Sequence, residues 1–152
     1  MNLETIMRED RQSILSEAVE AVRRAHLEHY ERVGIRTVHE RLDDLLGMVI
    51  EAVLNRNLDP VIDHATSVAT ARFEAGVDLS EVQTAFNALE EALWLRILRS
   101  IPAPEQAEAL GLVGTALGRG KDILARQYVS MASHARTPAL NLEALFSGSD
   151  RF

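Results

Sequence analysis

The chain has 152 residues, enough for one domain with a sizeable core. Its 47% apolar and 26% charged composition is that of an ordinary folded protein, which excludes wholesale disorder. A net charge of -7 excludes a nucleic-acid phosphate backbone as the main partner, and the lack of cysteine excludes disulfides, thiolate catalysis and zinc–thiolate sites.

The N-terminal "MNLETIMREDRQS" is too polar for a secretory signal. No apolar run approaches the roughly 20 residues of a membrane span. The richest patch, "ALWLRIL", is interrupted by Arg96. These features predict a cytoplasmic protein with no membrane partner.

Helical spacing runs through the whole sequence and alternating strand patterns are nearly absent. The first predicted helix begins between Leu3 and Ser13 and ends near Val33 and Gly34, with Leu15, Val19, Val22, His26 or Leu27, Tyr30 and Val33 on its apolar face. The second begins at "TVHE", where Thr37 and Glu40 have the spacing of a capping box. Its face is Leu42, Leu45, Leu46, Val49, Val53 and Leu54, and it stops around "NRN", residues 55 to 57. The third starts with Asp59 as N-cap and Pro60 as first helical residue, and Gly76 supplies its C-terminal cap.

The fourth predicted helix is the most fully specified. Asp78 stands as N-cap, Glu81 completes a box-like pair, and Val77 and Val82 have the positions of a hydrophobic staple. Leu79, Val82, Phe86, Leu89, Leu93, Ile97 and Ile101 then form one stripe. "IPAP" ends this helix and begins the fifth, with Pro104 in its first turn and its end near His134. The tail, residues 137–152, has room for one or two more turns within "TPALNLEALF". The expectation is one all-α domain spanning residues 1–152, of about five helices plus a short C-terminal turn, arranged either as a globin-like fold or as an antiparallel bundle.

Signals for chemistry are sparse. His26 and His29 are three apart, but a metal site needs further ligands and the Glu-x-x-His pairs of di-iron bundles do not occur. "HERLD" has Asp43 where a zincin helix needs its second histidine. "GTALGRGKD" fails as a phosphate loop: five residues separate Gly114 from Gly120, Asp122 replaces the magnesium-binding hydroxyl, and no strand precedes it. No catalytic, cofactor-binding or metal residues are assigned, and the chain is expected not to be an enzyme.

Two features remain. Ala107, Gly111, Gly114 and Gly118 fall in one narrow stripe at helical spacing. Each internal glycine costs a helix about 1 kcal/mol relative to alanine, so the stripe implies close packing, either within the chain or across a dimer contact. Trp94 sits between Leu93 and Leu95 on a nearly all-round apolar segment, which implies burial on more than one side. The second side is another subunit or the wall of a ligand cavity, a core tryptophan being the simpler reading. The dimer-interface candidates are Trp94, Leu95, Leu98, Ala107, Gly111, Gly114 and Gly118. The ligand-pocket candidates are Phe73, Phe86 and Trp94.

"ARFEAGVDLSEVQTAFNALEEALWLRIL" resembles the signature of the RsbR-type N-terminal domain, the RsbT co-antagonist RsbRD N-terminal domain family. The resemblance lies in Arg72, Gly76, Leu79, Glu81, Val82, Phe86, Leu89, Leu93 and Trp94, with "RLDDLLGMVIEAV" standing where the family has its preceding apolar helix. It covers roughly residues 10 to 133 and is specific over 70–98. It implies a stressosome-type stress-response module: globin-like, without haem, homodimeric, with sensing or protein-binding roles in signalling. A small-molecule sensor with an apolar cavity is the alternative. Such domains precede an output module. None lies within this sequence before Phe152, which leaves a free-standing regulator or a piece of a longer protein. The non-haem expectation agrees with the histidines, since none lies between Ala65 and Ser133 and His64 is too early for the usual proximal ligand.

Overall fold

The computed structural model describes residues 2–136; the tail at 137–152 lies outside them. The described residues form seven helices and no strand: α1 (Leu3–Glu9), α2 (Arg11–Arg24), α3 (Glu28–Val33), α4 (Ile35–Asn55), α5 (Asp59–Glu74), α6 (Leu79–Ser100) and α7 (Ala103–Arg136).

The expected first helix is three helices. It breaks at Asp10 (φ -97, ψ 12) and again at His26, whose φ of 50 is left-handed. Asn2 caps α1, its Oδ1 accepting from the Thr5 amide at 2.9 Å. The capping box expected at Thr37 is not formed. Gly34, at φ 89 and ψ 161, makes the break before α4, so the helix starts at Ile35 and Thr37 already lies in its first turn. Glycine reaches that φ without the steric penalty of a Cβ.

The remaining boundaries follow the sequence closely. α4 ends at Asn55, with Arg56 in the left-handed conformation. At α5 the assignment shifts by one: Leu58 is the N-cap, Asp59 is the first helical residue and its amide donates to Asn57 Oδ1 at 3.1 Å. Gly76 (φ 75) closes α5 as expected. Its amide donates to the Phe73 carbonyl and the Val77 amide to the Arg72 carbonyl, the paired bonds of a Schellman motif.

Asp78 does stand at the N-cap of α6, but its carboxylate accepts from Ser80 Oγ at 2.9 Å instead of capping the helix. Glu81 does not complete a box either. Its Oε2 accepts from the His29 amide at 3.2 Å and so ties α6 to α3. Val77 and Val82 are both buried, as a staple requires.

Packing neighbours run α7, α6, α2, α4, α5 and back to α7, a closed ring around one core. α1 lies against α2, α4 and α6, and α3 against α2 and α4. The stripe on α6 fills the middle: Val82, Phe86, Leu89, Leu93, Ile97 and Ile101 are buried. Each such side chain contributes about 1.5–3 kcal/mol by leaving water. Polar clasps fix the ring from outside. Arg11 on α2 donates from Nε and Nη2 to Asp43 Oδ1 on α4, at 2.9 and 2.8 Å. Tyr128 on α7 donates to the Val77 carbonyl at 2.9 Å and meets Phe73 edge to face at 5.6 Å.

Candidate functional site

The candidate residues lead to two places: an outward face on α6 and α7, and an inward cavity between α4, α5 and α6 that Phe86 alone of the pocket candidates lines.

On α6 the sequence pattern is inverted from the usual one. Trp94, Leu95 and Leu98 are exposed, at 42%, 46% and 53%. Trp94 is therefore not a core residue. Arg96, which divides these apolar residues in the sequence, turns inward and is 19% exposed. It donates to Ser13 Oγ at 2.7 Å and to Glu17 Oε1 at 3.1 Å on α2. The charged residue thus holds the fold together while the apolar ones face out.

The small-residue stripe of α7 also faces out. Ala107 and Gly111 are exposed, and Gly114 and Gly118 half-buried. A Cβ built on Gly111, Gly114 or Gly118 would meet nothing within 4 Å among the described residues. Packing within the chain therefore does not account for them here. Val129 continues the same outward line and is 65% exposed.

The two outward faces adjoin. Lys121 on α7 donates to Asn87 Oδ1 at 2.9 Å and to Glu90 Oε1 at 3.1 Å on α6. Trp94 is seven residues beyond Asn87, so at about 100° per residue it lies on nearly the same line of α6. The same bonds dispose of the phosphate-loop likeness: Gly114 to Lys121 lie mid-helix in α7, and the lysine is paired with a buried glutamate.

The inward cavity has a volume of about 220 Å³. Its apolar wall includes Leu42 and Leu45 from α4, Val68 from α5, and Val82, Ala85 and Phe86 from α6. Helical spacing puts each set on one face: 42 and 45, then 82, 85 and 86. Phe86 is the one expected pocket residue that lines it. Phe73 packs against Tyr128 instead, and Trp94 is on the outer surface.

The polar lining was not anticipated. It comprises Arg41 and Asp44 from α4, His64, Ser67 and Arg72 from α5, and Tyr30 from α3. His64, Val68 and Arg72 recur every four residues, so one face of α5 carries both the apolar wall and its charge. A sequence signal exists for Arg72, which stands at helical spacing from Val68, Ala69 and Ala75 in an otherwise apolar run.

The electrostatics of this cavity are lopsided. Among the described residues neither Arg41 nor Arg72 has a carboxylate in ion-pair range. Arg41 Nη1 donates to His29 Nε2 at 2.9 Å, and the charge of Arg72 acts on the Tyr30 hydroxyl. Arg72 Nε is buried with no partner. Burial, and then the charge of Arg72, pull Arg41 below its ordinary pKa. Burial likewise lowers His64, opposed by Asp44 and reinforced by Arg72. His29 is lowered by burial and then by both arginines, which suits a neutral ring accepting from Arg41. Burial raises the Tyr30 hydroxyl.

Other sequence candidates separate in space. His26 is in the α2–α3 turn, 2.7 Å from Glu31, whereas His29 faces Arg41. Asp43 of "HERLD" belongs to the Arg11 clasp. Among the described residues no group of three His, Asp or Glu converges as a metal set. No described helix is long and apolar enough to cross a membrane.

The structure thus defines an all-α domain. The family model described as RsbT co-antagonist protein rsbRD N-terminal domain matches residues 12–140. The chain belongs to that family, one of regulatory signalling domains. Comparison with curated proteins and with solved structures gave no match.

Proposed function

We propose that the chain is a non-enzymatic regulatory domain of stressosome-type signalling, acting in the cytoplasm through protein–protein contact and as a homodimer built on α6 and α7. The observation that carries this reading is the inversion on α6, with Trp94, Leu95 and Leu98 outside and Arg96 inside. Exposed apolar groups gathered on one face mark interaction surfaces, and tryptophan is enriched among residues that dominate interface energies.

The adjoining glycine stripe supports a close helix contact, because the space above Gly111, Gly114 and Gly118 is open among the described residues. In a two-fold dimer each patch meets its own copy, so two α6–α7 hairpins form a four-helix contact. The globin-like, non-haem arrangement goes with this reading and rests on family membership. Protein partners in signalling rest on the same ground.

Analytical ultracentrifugation tests the dimer. The wild type should sediment as a dimer at micromolar concentration, and Leu98→Glu as a folded monomer. A wild-type monomer under those conditions overturns the proposal. The alternative, a small-molecule sensor, is favoured by one observation, the cavity around Phe86.

A further inference from the structure

We infer that the cavity between α4, α5 and α6 is a binding site for a small monocarboxylate with a compact apolar body, its carboxylate held by Arg41 and Arg72. The inference deepens the small-molecule reading of the domain and is independent of dimerisation through α6 and α7.

Charge argues for the class. Two guanidiniums and one carboxylate, Asp44, line one small cavity; the guanidiniums repel each other, and among the described residues neither has a carboxylate in ion-pair range, which leaves the cavity with an excess of positive charge. Arg72 Nε is a buried donor without an acceptor. Leaving such a group unpaired costs about 1–3 kcal/mol, more when it is charged. A carboxylate in the cavity supplies the counter-charge that both guanidiniums lack. Arginine's planar fork matches carboxylate geometry.

Size and wall argue for the rest of the ligand. The cavity of about 220 Å³ exceeds the roughly 150 Å³ of an apolar cavity that holds benzene and falls short of the roughly 300 Å³ at which drug-sized pockets begin. Leu42, Leu45, Val82 and Phe86 give the occupant an apolar wall beside the charges. A benzene-sized body carrying one carboxylate fits both constraints. A sugar phosphate or nucleotide does not, because it would press hydroxyls or a large polar body against that wall.

The occupant has a mechanical consequence. Arg41 is on α4, Arg72 is at the C-terminal end of α5, and Phe86 is on α6. One ligand bridging these three helices stabilises their present packing, and α6 is also the helix that presents Trp94 and Leu98 outward.

Benzoate is the probe, with benzyl alcohol as its neutral counterpart, each titrated by calorimetry into the full chain. Benzoate should bind with one site per chain, and benzyl alcohol at least tenfold more weakly. Arg72→Gln and Arg41→Gln should each weaken benzoate at least tenfold with helical circular dichroism retained. Should Arg72→Gln fail to fold, Ala71→Leu serves instead. It crowds the mouth of the cavity from an exposed position and leaves both arginines in place, so it should also abolish benzoate binding. Equal binding of the alcohol, undiminished binding by either arginine variant, or no benzoate binding at millimolar concentration overturns the inference. None of those outcomes bears on the sedimentation test of the dimer.

Discussion

Two sets of glycines on α7 have opposite surroundings. A Cβ on Gly120 would fall 2.9 Å from Phe86 Cε2 and 3.2 Å from Val61 Cγ1. A Cβ on Gly111, Gly114 or Gly118 would meet nothing within 4 Å among the described residues. The first glycine is explained by this chain: it lets α7 approach α5 and α6 closely. The other three carry the same helix penalty of about 1 kcal/mol each with no return inside the described fold. α6 shows the same division. Its inward stripe is buried from Val82 to Ile101, with Leu79 half-buried at its start, while its outward face holds Trp94, Leu95 and Leu98 in water. Half of the α6–α7 hairpin is a finished core and half has the composition of an interface.

Substitutions can break that comparison. The largest effect is expected at Gly120. Gly120→Leu forces a branched side chain against Phe86 and Val61, and overpacking of this kind costs about 1–3 kcal/mol, here toward the upper end. Urea denaturation should show the midpoint falling, at any protein concentration. An unchanged midpoint would mean that α7 can shift freely over α6. Next comes Leu98→Glu. It should leave the stability of the monomer within about 0.5 kcal/mol, as surface changes do. It should weaken the dimer by about 2 kcal/mol or more, a roughly 30-fold rise in dissociation constant. If Leu98→Glu unfolds the chain instead, the outward face is part of the core and the division fails.

Acid should act on the inner half alone, with a smaller loss than Gly120→Leu. His64 and His29 are both held below their ordinary pKa, so the folded state favours their neutral forms. Stability is then full above the unfolded histidine value of about 6.5 and falls as pH drops from there through the lowered folded values. His64→Gln should flatten the pH dependence of the urea midpoint between about pH 7 and 5. Dimer affinity should not follow, since no histidine belongs to the proposed contact. A dimer lost in parallel with monomer stability would merge the two halves.

How much of this was legible in the sequence depends on what each residue answers to. The helices from α4 onward could be read because their stripes are strictly periodic and their ends carry Gly34, "NRN", Gly76 and "IPAP". The split into α1, α2 and α3 could not. The first 33 residues contain neither Gly nor Pro, and the apolar face continues across both breaks. Asp10 and His26 turn the chain for tertiary reasons that local propensity does not record. The same holds at Glu81, whose spacing promised a cap and whose carboxylate went to the His29 amide. Phe86 was found as a cavity residue. Arg41 and Arg72 match no catalytic or metal-ligand spacing, so their convergence on one cavity shows only in the fold. Trp94 is not the core tryptophan that its apolar neighbours suggest, because its side of α6 faces out and is 42% exposed.

The smallest effect separates the two halves most cleanly, because it differs in sign. Gly114→Ala adds one methyl in open space among the described residues. For the isolated chain this is a gain, since alanine outranks glycine in a helix by about 1 kcal/mol. In a domain of this length that gain corresponds to a rise of roughly 2–4 °C in melting temperature. In a dimer the same methyl lies where a partner helix must approach closely, and the gain is offset or reversed. Thermal melts at two protein concentrations therefore decide the point. At high dilution, where the monomer dominates, Gly114→Ala should melt above the wild type. At high concentration the wild type draws stability from association by mass action and the variant draws less, so the gap should close or invert. An equal gain at both concentrations would mean that nothing meets Gly114 in the assembled protein, and the stripe would have no part in the interface.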